Sequence, residues 1–133
     1  MKSRRAQEAV DPIFSADTIN ALAHFYAGAE DLGNPLISPM YADFHGFPSL
    51  RIDVGRDEIF LDDFLLIAEH ARAANVPVEL TVWDDMWHIF QAYASVLPEG
   101  QQSLEKMGSF IRQTVLPQRE IIERRHENEP GKR

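Results

Sequence analysis

The sequence predicts an α/β fold: two parallel strands in a βαβ unit with flanking helices. Three observations carry that prediction. Leu50, Ile52 and Val54 alternate with Arg51 and Asp53, the period of a strand. A helical stretch follows, opening on Asp62 and Asp63 and carrying Leu65, Leu66, Ala68 and Ala73. A second extended stretch then runs from Val78 to Trp83. A strand, a crossover helix and a second strand form a right-handed parallel pair almost without exception.

Each element has its own local signals. Residues 1–14 are polar and reach the Asp11-Pro12 turn. Ser15 can cap a helix in which Ile19, Leu22, Ala23, Phe25 and Tyr26 recur at helical spacing, with Gly28 as its stop. Gly33, Pro35, Pro39, Gly46 and Pro48 make 29–49 a loop, and Gly55 ends the first strand. Asp62 and Asp63 favour a helix N-terminus through the macrodipole. Asn75 suits the left-handed cap at the other end. Val76-Pro77 restarts an extended chain, and Asp84-Asp85 turns it. A final helix is predicted over about 101–115, with Leu104, Met107, Gly108, Ile111 and Val115 on one face. Residues 117–133 hold only Ile121 and Ile122 as large apolar groups, so a frayed or disordered tail is expected after a segment spanning 1–116. Two strands are few, and a parallel sheet wants both faces covered. The pattern therefore predicts one end of a larger sheet.

Composition narrows the function. The chain has 133 residues, enough for one domain. Its net charge of −8 argues against a nucleic-acid partner, which would need a basic face. The absence of cysteine excludes a disulfide scaffold, thiolate metal sites and a cysteine nucleophile, and suits the cytoplasm. The longest apolar run, Phe64 to Ala68, is far short of the ~20 residues of a membrane span. No apolar stretch follows Lys2, Arg4 and Arg5, so no secretory signal is expected.

Two turns could carry chemistry. Gly55-Arg56-Asp57-Glu58 follows the carboxyl end of the first strand, and Asp84-Asp85-Met86-Trp87-His88 follows that of the second. Ligands and catalytic groups gather at such ends in open parallel sheets. A carboxylate beside an imidazole fixes its tautomer and stabilises the imidazolium. Those are the last two members of a triad in the order Ser, Asp/Glu, His. No serine here lies in a G-x-S-x-G setting, and there is no H-G-G-G loop, phosphate-binding glycine loop or H-E-x-x-H pair. Plainer roles compete. His88 could be a structural turn histidine, Glu58 a carboxylate drawn to a helix start, and Trp83, Trp87, Phe90 and Tyr93 core residues. A metal held by Asp84, Asp85 and His88 is disfavoured, because no second histidine lies nearby. His24 and His70 are expected at surface or boundary positions of helices.

Longer motifs resemble one family. Asn34 to Asp43, "NPLISPMYAD", Pro48 to Asp63, "PSLRIDVGRDEIFLDD", and Val78 to Gln91, "VELTVWDDMWHIFQ", are similar to ordered motifs of the hormone-sensitive-lipase-like esterases, the α/β-hydrolase fold-3 family. Asp11-Pro12-Ile13-Phe14 resembles a further one, and the match spans about 8–116. The resemblance implies the C-terminal part of an α/β-hydrolase fold, contributing its last two strands. It implies His88 as the general base, Glu58 as the triad acid with Asp57 as the alternative, and Asp62 as a supporting acid. It leaves Trp87 as a possible wall of an acyl pocket. No metal or organic cofactor is implied, and the substrate class would be small acyl esters. Asp85 stands where the family has glycine, and Arg51 where it has an apolar residue. Because the serine elbow and oxyanion loop are absent, little esterase activity is expected from this chain alone. The alternative is a non-catalytic assembly module that self-associates, or pairs with a missing half, through the edge of Leu50–Val54 or through 78–83.

Overall fold

A computed structural model describes residues 11–114. Ser15 caps helix α1, Ala16–Ala27, its Oγ accepting the Thr18 N–H at 3.1 Å. Gly28, at φ 60°, ends that helix and donates its N–H to His24 O. Strand β1, Leu50–Gly55, leads into helix α2, Leu61–Ala73, and then strand β2, Val78–Trp83. Helix α2 has Asp62 and Asp63 in its first turn. It closes in a Schellman arrangement: Val76 N–H donates to Ala71 O at 2.9 Å, and Asn75 N–H to Arg72 O at 3.0 Å. Asn75 takes the left-handed position, φ 60°, as its residue type predicts.

The strands pair in parallel, with Leu50 opposite Val78 and Gly55 opposite Trp83. Helix α2 lies on the face where Leu50 and Val78 pack against Phe44, Ala71 and Val76. Helix α3, Pro98–Thr114, covers the other face, where Lys106 Nζ sits 4.5 Å from the centre of the Trp83 ring. Both faces of the pair are thus covered, as the parallel pairing requires.

The face under α3 is polar, and this accounts for Arg51. The Asp53 side chain is wholly buried, and Arg51 Nη2 donates to its Oδ1 at 3.0 Å. Arg51 Nε lies 2.7 Å from Asp53 Oδ2, an ion pair without hydrogen-bond alignment. Arg51 Nη1 reaches Glu79 at 2.7 Å, and Trp83 Nε1 donates to Asp53 Oδ1 at 2.8 Å. A buried carboxylate needs such partners, so the arginine is matched to its neighbour.

Four expectations need correction. Helix α3 begins at Pro98 rather than near residue 101, and it buries Gly100 and Ser103. Leu104 and Ile111, the expected face, are 44% and 51% exposed. The reason is a close approach. A Cβ at Gly100 would lie 3.1 Å from Phe90 O and from Ala94 Cα, and Ser103 Oγ accepts from Gln91 Nε2 at 3.3 Å. The segment 29–49 is also not a plain loop, since Pro39–Tyr41 is a short 3-10 turn, and a second such turn, Phe90–Tyr93, follows β2. His70 ties α2 to the first of these, Nδ1 donating to Met40 O at 2.9 Å. In α1 the apolar stripe is only partly covered: Ile19 is buried, but Phe25 is 89% exposed. The 117–133 segment lies outside the described residues, as does Val115.

Candidate active site

The site is built where the two turns leave the sheet. Backbone bonds zip them together. Arg56 N–H donates to Trp83 O at 2.8 Å, and Asp57 N–H to Met86 O at 2.9 Å. Gly55 is essential to this approach. A Cβ there would meet Met86 O at 2.2 Å and Met86 C at 2.6 Å. On the outside, the Arg56 and Asp84 side chains pair across the turns, exposed to solvent.

This zipping brings together Glu58 and His88, 30 residues apart in sequence. His88 Nδ1 lies 3.1 Å from Glu58 Oε1. Glu58 Oε2 accepts the Gly55 N–H at 2.8 Å, so both carboxylate oxygens are engaged. Glu58 is 3% exposed and the His88 side chain 22%, so the imidazole is the member that solvent or a substrate can reach.

The imidazole sits against two aromatic rings. Phe60 is 5.1 Å from it and Phe14 is 5.5 Å, centre to centre. Two residues of its turn adopt positive φ. Asp85, at 59°, keeps the turn despite its side chain, as aspartate tolerates this region. Ile89, at 53°, is a β-branched residue in the same region, a strain of about 1–2 kcal/mol directly after His88. The following Phe90 is fully buried with Trp83 and Met86, which anchors the chain beyond the strained residue. A cleft of about 320 Å3 opens beside the pair, lined in part by Asp53, Phe64, Ile89 and Met107.

The predicted residues divide cleanly. Glu58 and His88 meet. Asp57 instead docks its backbone on Met86, and Asp62 lies in the first turn of α2. Asp84 turns to Arg56. Trp87 packs on the Trp83, Met86 and Phe90 cluster and lies 5.7 Å from the Tyr93 ring, edge to face, rather than lining that cleft. Among the described residues no group of three or more acidic, histidine or cysteine side chains could hold a metal. No described hydroxyl hydrogen-bonds to His88. Asp11, read from sequence as a turn residue and as part of a motif resembling the family's but not as a site residue, accepts the Ile59 N–H at 3.0 Å, next to Glu58 in the chain. An aspartate ahead of free N–H groups signals the local turn, but nothing local signals that distant bond.

Comparison with known proteins gives the family and the fold. A family model described as alpha/beta hydrolase fold matches residues 1–92. An acetyl-hydrolase of Streptomyces hygroscopicus is 33% identical over 110 residues, covering 83% of this chain and 37% of its own length. The esterase LipU of Mycobacterium tuberculosis is 36% identical over 111 residues, covering 81% of this chain and 37% of its own. Among solved structures, an esterase/lipase from an uncultured bacterium superposes with a TM-score of 0.80 at 37% identity, over 85% of this chain and 38% of that one. A hormone-sensitive lipase from a metagenome library gives 0.81 at 38% identity, over 85% and 39%. The chain spans a little over a third of the length of these relatives.

Proposed function

This chain belongs to the alpha/beta hydrolase fold family, among the hormone-sensitive-lipase-like esterases, and on that premise we propose that it carries the acid and base of a serine ester hydrolase. The observation that carries the reading is the buried Glu58 held against His88 Nδ1 at the carboxyl ends of two adjacent parallel strands. Glu58 accepts a hydrogen bond from Nδ1–H, which keeps the proton there and leaves the Nε2 lone pair available. Nε2 takes the proton of a serine as its oxygen attacks the ester carbonyl. The imidazolium then returns that proton to the departing alcohol, leaving an acyl-enzyme. Water repeats the cycle, and the carboxylic acid leaves. Glu58 stabilises the imidazolium in both halves.

The G-x-S-x-G and H-G-G-G elements are absent from this sequence, so the nucleophile and oxyanion donors come from protein outside it. The substrates are small acyl esters, in keeping with relatives named acetyl-hydrolase and esterase. The cysteine-free composition favours the cytoplasm. The test is hydrolysis of p-nitrophenyl acetate and butyrate. The chain alone is expected to show no activity above its His88→Ala variant. Grafted in place of the matching segment of a related esterase, it is expected to support hydrolysis that His88→Ala or Glu58→Gln abolishes. Full activity in either grafted variant refutes the assignment. A second reading, assembly through the sheet edge, rests on β1 having only β2 beside it among the described residues, with Phe25 and Leu36 exposed. A monomer by light scattering argues against that reading.

A further inference from the structure

We infer that Asp11 is a positioning residue for the Glu58–His88 pair, and that Asp11 to Phe14 form a clip gripping the acid turn at one end and the imidazole at the other. The inference rests on the roles proposed for Glu58 and His88. Asp11 is 8% exposed and uses both carboxylate oxygens. Its Oδ1 accepts from Ile13 N–H at 2.8 Å and from Phe14 N–H at 3.2 Å. Its Oδ2 accepts the Ile59 N–H at 3.0 Å, across 48 residues of sequence.

The last bond is the telling one. Ile59 is fully buried, so its N–H has no water to turn to. The bond fixes the peptide that joins Ile59 to Glu58, and with it the direction in which the Glu58 side chain leaves the backbone. The other two bonds shape the chain so that Phe14 reaches the site. Its ring lies 5.5 Å from the His88 ring and 6.1 Å from Phe60. Phe60 adjoins Ile59 and completes the pair of rings around the imidazole, 5.1 Å from it. One buried carboxylate therefore joins the backbone of the acid to the packing of the base. It acts through Glu58 and Phe14.

The test reads the ring nitrogens of His88 by NMR in the full chain at a pH where the ring is neutral. In the unaltered chain the proton is expected on Nδ1, facing Glu58. Imidazoles without such a partner favour the proton on Nε2. Asp11→Asn keeps the size and one acceptor oxygen but cannot accept at both ends of the clip, because its other atom is a donor. It is expected to move a large share of His88 to the Nε2–H form. His70, bonded to Met40 O outside the clip, is expected to keep its form. A merely structural loss would lower stability without selecting His88 in this way. If His88 stays wholly Nδ1–H in Asp11→Asn, the inference falls and the acid–base reading stands. If His88 is Nε2–H in the unaltered chain, that reading falls and takes the inference with it. Amide exchange in the unaltered chain needs no variant. The Ile59 N–H is expected to exchange at least about tenfold more slowly than the amides of the exposed 45–47 loop, and equal rates overturn the clip.

Discussion

Replacing Gly55 by alanine tests the joint on which the site depends. The new Cβ meets Met86 O at 2.2 Å, and ordinary contact begins at 3.4 Å, so the two turns must part by 1.2 Å. The obstructing atoms are backbone, which cannot swing aside as a side chain would. A parting of that size breaks the bond from Asp57 N–H to Met86 O, now 2.9 Å, and disturbs the 2.8 Å bond from Gly55 N–H to Glu58. Each buried group left unpaired costs about 1–3 kcal/mol and the broken bond leaves two, so the expected loss is about 2–6 kcal/mol of a total of about 5–15 for a domain of ordinary stability. Urea unfolding followed by tryptophan fluorescence reads it. With a slope of about 2 kcal/mol/M, the midpoint falls by about 1–3 M. Gly28→Ala is the control. Gly28 also has positive φ, but nothing lies within 4 Å of its added Cβ. Only backbone strain remains there, about 1–3 kcal/mol, because φ 60° with ψ −114° is a region that side-chain-bearing residues rarely adopt. A Gly55→Ala midpoint unchanged from that of the unaltered chain refutes the argument.

Two further outcomes follow from the same structure. Arg51→Leu strands the buried Asp53 carboxylate and is expected to cost about 3–5 kcal/mol in urea unfolding, most of it recovered when Asp53→Asn is added; purely additive losses would show that the pair is not coupled. Ile89→Asn relieves a β-branched residue at φ 53° and is expected to raise stability by about 0.5–1 kcal/mol, read as a higher Tm; a lower Tm would mean that the half-exposed Ile89 side chain outweighs its strain.

Much of the site was legible because its signals are short or repeated. The alternation of Leu50, Ile52 and Val54 marks a strand, and the Asp62-Asp63 start marks the crossover helix. Together they place two turns side by side, one acidic and one holding a histidine. What resists reading is the choice between adjacent residues. Asp57 and Glu58 are both carboxylates, and the turn directs one to Met86 through its backbone and the other to His88 through its side chain. Trp87 neighbours His88 in sequence yet belongs to a separate cluster. Helix α3 shows the same limit, because its buried stripe is set by small residues, Gly100 and Ser103, that carry no hydrophobic signal.

By itself, then, the sequence determined the helix boundaries marked by Ser15, Gly28 and Asn75, the parallel strand pair and the meeting of an acidic turn with a histidine turn. These depend on backbone preferences and hydrogen bonds spanning only a few residues, or on a periodicity that any pleated strand imposes. Tertiary structure alone decided that Gly55 must lack a Cβ, that Arg51 answers Asp53 against the underside of α3, and that Asp11 holds the turn of Glu58. Each of those depends on atoms brought within about 3 Å by the packing and register of the folded chain, a distance that no spacing along the sequence encodes.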